Sequence, residues 1–217
     1  MKKEVCLALA ALLVLGACSA RVERPQVYTY KTLSVKTLVV TPYFYPPSVE
    51  VGAGPGGDAG ERRRVEEFLT RALHHELTGN AAGVRIADLA ASLKAYEEAG
   101  DGGTYARHIA SSLEACRRLG ADGVVTGIVD TFQERQGGEL GVTRPATVRL
   151  VTRLYECSTG EVAWEDYFNE TQKSLFQNLL EIRKFMERQG KWITARQLAM
   201  EGVRRVVSEL ELYFAGK

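Results

Sequence analysis

The chain has 217 residues, with 28 Lys and Arg against 27 Asp and Glu, a formal net charge of +1 and 45% hydrophobic residues. That is enough chain and enough apolar content for one well-cored domain. The near balance of charge excludes the basic surface that nucleic-acid binding or electrostatic attachment to a membrane demands, so no nucleic-acid partner is expected.

Lys2 and Lys3 precede an apolar run from Val5 onward that ends in Leu15-Gly16-Ala17-Cys18. A short positive start, an apolar stretch shorter than a membrane span and small residues before the end describe a secretory signal and not a transmembrane helix. The cysteine at the cleavage point resembles bacterial lipoprotein signals. That resemblance implies removal of residues 1–17 and acylation of Cys18 as the mature N-terminus. Acyl chains contribute about 0.8 kcal/mol per buried methylene, and two or more hold a protein on a bilayer durably. Ser19 stands where an aspartate favours inner-membrane retention in enteric bacteria, which implies the periplasmic face of the outer membrane. Residues 18–35 then form the lipidated cysteine and a short tether. A tether of about 15 residues reaches at most about 50 Å, so the domain at 36–217 works close to its own membrane. Loss of Lys2, Lys3 and Glu4 with the signal brings the mature charge to about zero.

Lys36 to Phe44 reads as a buried β-branched strand, followed by a Gly/Pro loop over 46–60. A helix runs from about Gly60 to Leu77, with Val65, Phe68, Leu69, Ala72, Leu73 and Leu77 forming one apolar stripe and Gly79 a stop. Val84–Ala87 is a short strand, and Asp88 caps a helix to about Glu98. Thr104 caps the next helix, whose inner face is expected to carry Tyr105, Ile109, Leu113, Cys116 and Leu119. Gly123 to Thr131 is the most strand-like run of the chain. A hairpin follows in which Val148, Leu150 and Leu154 alternate against Val162, Trp164 and Phe168. Placing Gly160 at positive φ pairs Cys157 with Glu161, Leu154 with Trp164 and Leu150 with Phe168. Lys173–Glu187 and Ile193–Tyr213 are expected as helices. The fold class is α/β (α+β), a single mixed sheet in the order β-α-β-α-α-β-β-β-α-α.

Gly120-Ala121-Asp122-Gly123-Val124-Val125-Thr126-Gly127, followed by Ser158-Thr159-Gly160-Glu161-Val162-Ala163-Trp164, resembles lipoproteins of the curli secretion-channel superfamily. These carry a helix–Gly-Ala-Asp–strand element and then a hairpin with a Thr-Gly-Glu-Val turn ending in tryptophan. Outer-membrane lipoprotein activators of penicillin-binding proteins and the N-terminal domain of the Tol-Pal propeller protein have a related domain. The opening strand, Val39-Val40-Thr41-Pro42-Tyr43-Phe44, fits the same group, and the resemblance spans roughly residues 36–170. A pore is not expected, because the inserts at 45–60 and 132–146 lack the 9–11 alternating residues per strand that crossing a bilayer requires.

Four cysteines are present; Cys6 goes with the signal and Cys18 is the lipidation site. An oxidising periplasm allows a disulfide between Cys116 and Cys157, and two free thiols fit their positions equally well. The three histidines show no ligand spacing to either cysteine, and adjacent His74 and His75 diverge on a helix, so no metal and no other cofactor is expected. The glycines of 52–57 run into Asp58 and Glu61, not the Gly-Lys-Ser/Thr of a phosphate loop. Glu165 and Asp166 point to opposite faces of a strand, and Ser111, Ser112 and Ser174 lack a nucleophile elbow. No catalytic set emerges.

Two segments remain as a candidate partner surface: the aromatics Tyr43, Phe44 and Tyr45 where a strand becomes a loop, and the stretch from Arg135 through Gly137 and Gly138 to Arg144, read as a long hairpin loop. The expected function is a membrane-anchored, non-catalytic adaptor of envelope assembly or maintenance. It is held by its acyl chains near a periplasmic or outer-membrane protein partner, with self-association possible. The alternatives are a regulator of peptidoglycan synthesis, a periplasmic enzyme and a subunit of an oligomeric secretion apparatus.

Overall fold

Asp122 anchors the start of the sheet: its Oδ2 accepts from the backbone N–H groups of Lys36 (2.9 Å) and Thr37 (2.8 Å), tying the entry of the first strand to the entry of the third. The computed structural model describes residues 33–48, 59–80, 83–100, 103–137, 142–172 and 193–216. The signal, Cys18, the tether up to residue 32, most of the 46–60 loop and the helix expected over 173–187 lie outside these residues.

The elements are β1 (Thr37–Phe44), α1 (Ala59–Asn80), β2 (Arg85–Ile86), α2 (Leu89–Glu98), α3 (Tyr105–Arg118), β3 (Gly123–Gln133), β4 (Gln136–Gly137), β5 (Val142–Arg144), β6 (Thr147–Glu156), β7 (Val162–Thr171) and α4 (Ala195–Phe214). Five strands form one mixed sheet in the order β2-β1-β3-β6-β7. β1 is parallel to β2 and β3, whereas β3–β6 and β6–β7 are antiparallel. The mixed α/β class expected from the sequence is the one observed.

Helices cover both faces. On one, α1 buries Val65, Leu69, Ala72, Leu73 and Leu77, the expected stripe, against Leu38, Val40, Leu150, Leu154 and the α4 residues Leu198, Val203 and Leu210. On the other, α3 packs Cys116 against Val39, Val124 and Tyr155. Burial of each such aliphatic side chain stabilises by about 1.5–3 kcal/mol, so this three-layer core dominates the fold. Asp88 and Thr104 cap α2 and α3 as expected, accepting from Ala91 N and Arg107 N. Thr194 and Gln197 form a capping box on α4, and the Glu134 carboxylate accepts from Ala195 N at 3.1 Å, where negative charge suits the helix N-terminus.

Two sequence expectations need correction. The stripe of α3 that faces the protein is His108, Ser111, Ser112, Ala115 and Cys116, while Ile109, Leu113 and Leu119 sit partly buried on its flank. Small residues let the helix lie close to the sheet, and hydrogen bonds satisfy the polar ones, so bulk hydrophobicity misplaced the contact line. In the hairpin, Leu154 faces Trp164 and Leu150 faces Phe168 as expected, and Gly160 has φ 77°. A register shift next to the turn, however, makes Glu156 N donate to Glu161 O and leaves Val162 exposed while Ala163 and Trp164 are both buried. The extra residue taken up by this bulge keeps the apolar pairs on one face.

Cys116 and Cys157 are joined in a disulfide, with their Cα atoms 6.0 Å apart, linking α3 to the hairpin turn. Among the described residues no helix is long and apolar enough to cross a membrane.

Candidate functional site

β2 pairs only with Thr37 and Leu38, so among the described residues the same edge of β1 has no strand beside it further along. Side chains of α1 take its place. Tyr43 N donates to Thr70 Oγ1 (3.0 Å) and Tyr45 N donates to Glu66 Oε1 (2.7 Å), which blunts an edge that would otherwise template pairing with another chain. A cavity of about 440 Å³ opens here, between α1 on one face of the sheet and α2 on the other, beyond the carboxyl end of β1. The crossover from β1 to β2 runs through α1 on one face of the sheet and that from β2 to β3 through α2 and α3 on the other, so α1 and α2 flank this edge.

A second helical stripe of α1, Arg63, Glu66, Glu67, Thr70 and Arg71, forms one wall; Leu93, Tyr96 and Glu97 of α2 form the other; Pro42, Phe44 and His108 lie at the floor. Both stripes follow three- and four-residue spacing, which brings one helix face to the cleft.

His108 closes the floor. Its Nδ1 is 2.7 Å from Tyr96 Oη and its Nε2 is 2.7 Å from Thr126 Oγ1. The Thr126 hydroxyl is committed as donor to Pro42 O at 2.7 Å. It therefore accepts from Nε2–H, which fixes the tautomer and makes Nδ1 the acceptor of the Tyr96 hydroxyl. Phe44 stacks on the imidazole with centroids 5.4 Å apart. Burial pushes the His108 pKa down to about 4, so the ring is neutral at physiological pH. Below it, Thr41 Oγ1 donates to Ser112 Oγ, which donates to His108 O.

The three aromatics proposed as a rim divide. Tyr43 is 1% exposed and Tyr45 2%, so both are core residues and not partner surface. The Tyr43 hydroxyl lies 2.8 Å from Thr152 Oγ1, and burial pushes its pKa up to about 12. Gly127 makes room for its ring: a Cβ there would lie 2.1 Å from Tyr43 Cε1. Phe44, pointing to the other face, is partly exposed and lines the cleft.

The second candidate segment leaves the same end of the sheet. It is not a plain loop, because β4 and β5 form a small antiparallel ladder with Gln136 opposite Arg144 and Gly137 opposite Val142. Arg144 is exposed; Arg135 is partly buried and its Nη1 has no hydrogen-bond partner among the described residues. Gly137 has φ 111°, and Gly138 lies outside the described residues.

A further polar cluster sits on the α3 face of β6 and β7. Arg153 donates to Glu165 through Nε and to the Tyr105 hydroxyl through Nη1, and Tyr105 Oη is 3.0 Å from Tyr155 Oη. Burial opposes the Arg153 charge, but its bond to Glu165 prevails and holds its pKa above the usual range. Glu165 and Asp166 do point apart: Asp166 pairs with Arg205 of α4 on the opposite face, at 2.8 Å. Next to this cluster Val151 lies opposite Tyr167, which is nearly half exposed.

Sequence reasoning missed His108 and the polar stripe of α1. The stripe was readable as i, i+3, i+4, i+7, i+8 beside the apolar one; His108 had no such signal, since its partners come from α2 and β3.

No protein-family model and no curated protein matches the chain. Among solved structures it is similar to a PelC dodecamer from Paraburkholderia phytofirmans, at 16% identity and TM-score 0.45 over 83% of this chain and 92% of that one. It is also similar to the LpoB C-terminal domain from Salmonella enterica, at 18% identity and TM-score 0.37 over 65% and 86%. A third is a lipoprotein from Neisseria meningitidis, at 15% identity and TM-score 0.39 over 70% and 92%. At this distance the likenesses transfer no activity and no partner.

Proposed function

We propose that the chain is a lipid-anchored lipoprotein of the bacterial envelope that acts by binding, as a non-catalytic adaptor, and that its binding end is the end of the sheet carrying Phe44 and the β4–β5 tip. The anchor rests on the Lys2-Lys3 start, the apolar run and Cys18. The outer membrane, periplasmic face, is the location that Ser19 favours.

The observation that carries the binding reading is the closure of the cleft's floor. Tyr96, His108, Thr126 and Pro42 O spend their hydrogen bonds on one another. A neutral imidazole with both nitrogens bonded inside the protein stiffens a wall and has neither lone pair nor proton to offer a substrate. What this end presents outward is shape and rim charge, the means of recognition. Of envelope partners, a cell-wall synthase is the first to test, because the motifs at 120–127 and 158–164 resemble those of a lipoprotein superfamily to whose domain that of the synthase activators is related.

The test is to crosslink the lipidated protein in native envelopes, purify it by a C-terminal tag and identify what accompanies it. One defined envelope protein, lost on Phe44→Ala or Arg144→Ala and lost on Cys18→Ala, supports the adaptor. Recovery of the chain alone, or only of further copies of itself, overturns it.

A further inference from the structure

We infer that the cleft between α1 and α2 is a binding site for a short peptide in its zwitterionic form, with the peptide's carboxylate on Arg71, its ammonium on Glu97 and an apolar side chain over Phe44 and Leu93. This rests on the cleft being a binding site, and not on the adaptor reading.

Most of the cleft's polar groups are engaged within the protein. Thr70 Oγ1 accepts from Tyr43 N and donates to Glu66 O. Glu66 holds Tyr45 N, and Tyr96 and His108 hold each other. Arg63 is paired with Glu67 at 3.1 Å. Arg71 and Glu97 are left, one cation and one anion, each without a side-chain hydrogen bond or ion pair among the described residues. They stand on opposite walls, because α1 and α2 pack on opposite faces of the sheet. Between them the surface available is Phe44 and Leu93.

A ligand that satisfies both walls carries one positive and one negative group separated by an apolar body. In a free amino acid both charges sit on one carbon, too close to serve two walls. Two or three extended residues separate their termini by roughly 7–11 Å. A cavity of about 440 Å³ lies within the range that encloses small organic ligands, and suits a dipeptide or tripeptide. An ethanolamine phosphate headgroup shares the ammonium and the anion but lacks the apolar body, so the same site discriminates against it.

Isothermal titration of the mature chain with L-alanyl-L-phenylalanine, its N-acetyl form and its C-terminal amide tests this directly. The free dipeptide binds, and blocking either terminus weakens binding about tenfold, the scale of one lost charge-assisted hydrogen bond. In Arg71→Gln the amide and the free carboxylate bind alike, while acetylation still weakens binding; in Glu97→Gln the pattern reverses. Both residues lie on exposed helix faces, so neither substitution threatens the fold. No saturable binding up to about 10 mM overturns the inference. Equal losses for all three ligands in both variants overturn it too, as does binding of glycerophosphoethanolamine in preference to the dipeptide. None of these results bears on the crosslinking outcome, so the two readings fail separately.

Discussion

His108 Nε2 donates to Thr126 Oγ1 across 2.7 Å, and this single bond joins α3 to the third strand under the cleft. Around the ring stand Tyr96 from α2, Tyr105 of the same helix and Phe44 from β1. Burial of the ring opposes a proton on the imidazole. The folded pKa of about 4 lies below the unfolded value near 6.5, so the unfolded chain binds more protons between these limits. The resulting stability is fully present above about pH 6.5 and is lost as pH falls toward 4, by roughly 3 kcal/mol in all. Urea denaturation at stepped pH shows it as the difference between the native chain and His108→Gln, since the carboxylates titrate alike in both. Parallel pH profiles would mean that the ring is not held neutral.

The contact of Tyr43 with Gly127 predicts an asymmetric pair of substitutions. Gly127→Ala forces a methyl into the tyrosine ring and costs about 1–3 kcal/mol, as overpacking does. Tyr43→Leu removes the ring and its bond to Thr152, and costs more than Tyr43→Phe, which loses the bond alone. Combined with Tyr43→Leu, Gly127→Ala becomes nearly neutral, because the methyl then enters vacated space. Equilibrium unfolding of the four variants measures the coupling; strict additivity would refute the contact.

The Cys116–Cys157 disulfide spans a sequence separation of 41, for which loop-closure entropy gives about 4 kcal/mol. The mature protein from the envelope, denatured without reductant, is expected to take up no thiol-alkylating reagent, and to take up two equivalents after reduction. With Cys6 removed and the Cys18 sulfur acylated, no other thiol remains. Alkylation before reduction at Cys116 or Cys157 would show the bridge to be unformed.

The body of the hairpin was legible in the sequence because a period-two apolar pattern places Leu154 opposite Trp164 and Leu150 opposite Phe168, whereas the expected pairing of Cys157 with Glu161 gives way to a bulge that puts Glu156 there. The first helix was legible for the same reason at period 3.6. Alternation also separates Phe44 from Tyr43 and Tyr45, but which of the two faces holds the larger core depends on where α1 and α4 pack, and that is a tertiary fact. The misreading of α3 has one cause: beside the expected Cys116, the chain buries His108, Ser111 and Ser112 where apolar periodicity favours Ile109 and Leu113. Hydrogen bonds to distant residues make that burial affordable, and they leave no trace in local sequence. The cleft was half legible. Its polar stripe on α1 is periodic, whereas the opposing wall is brought in by α2 after an intervening strand.

The central claim is that the protein binds its partner with the end of the sheet that carries Phe44. A photoreactive phenylalanine analogue placed at 44 in the lipidated protein, and separately at Glu209 on the exposed side of α4, tests it in intact envelopes. The expected result is one discrete adduct with another envelope protein from position 44 and none from position 209. Adducts of equal yield from both positions, or none from position 44, would contradict it.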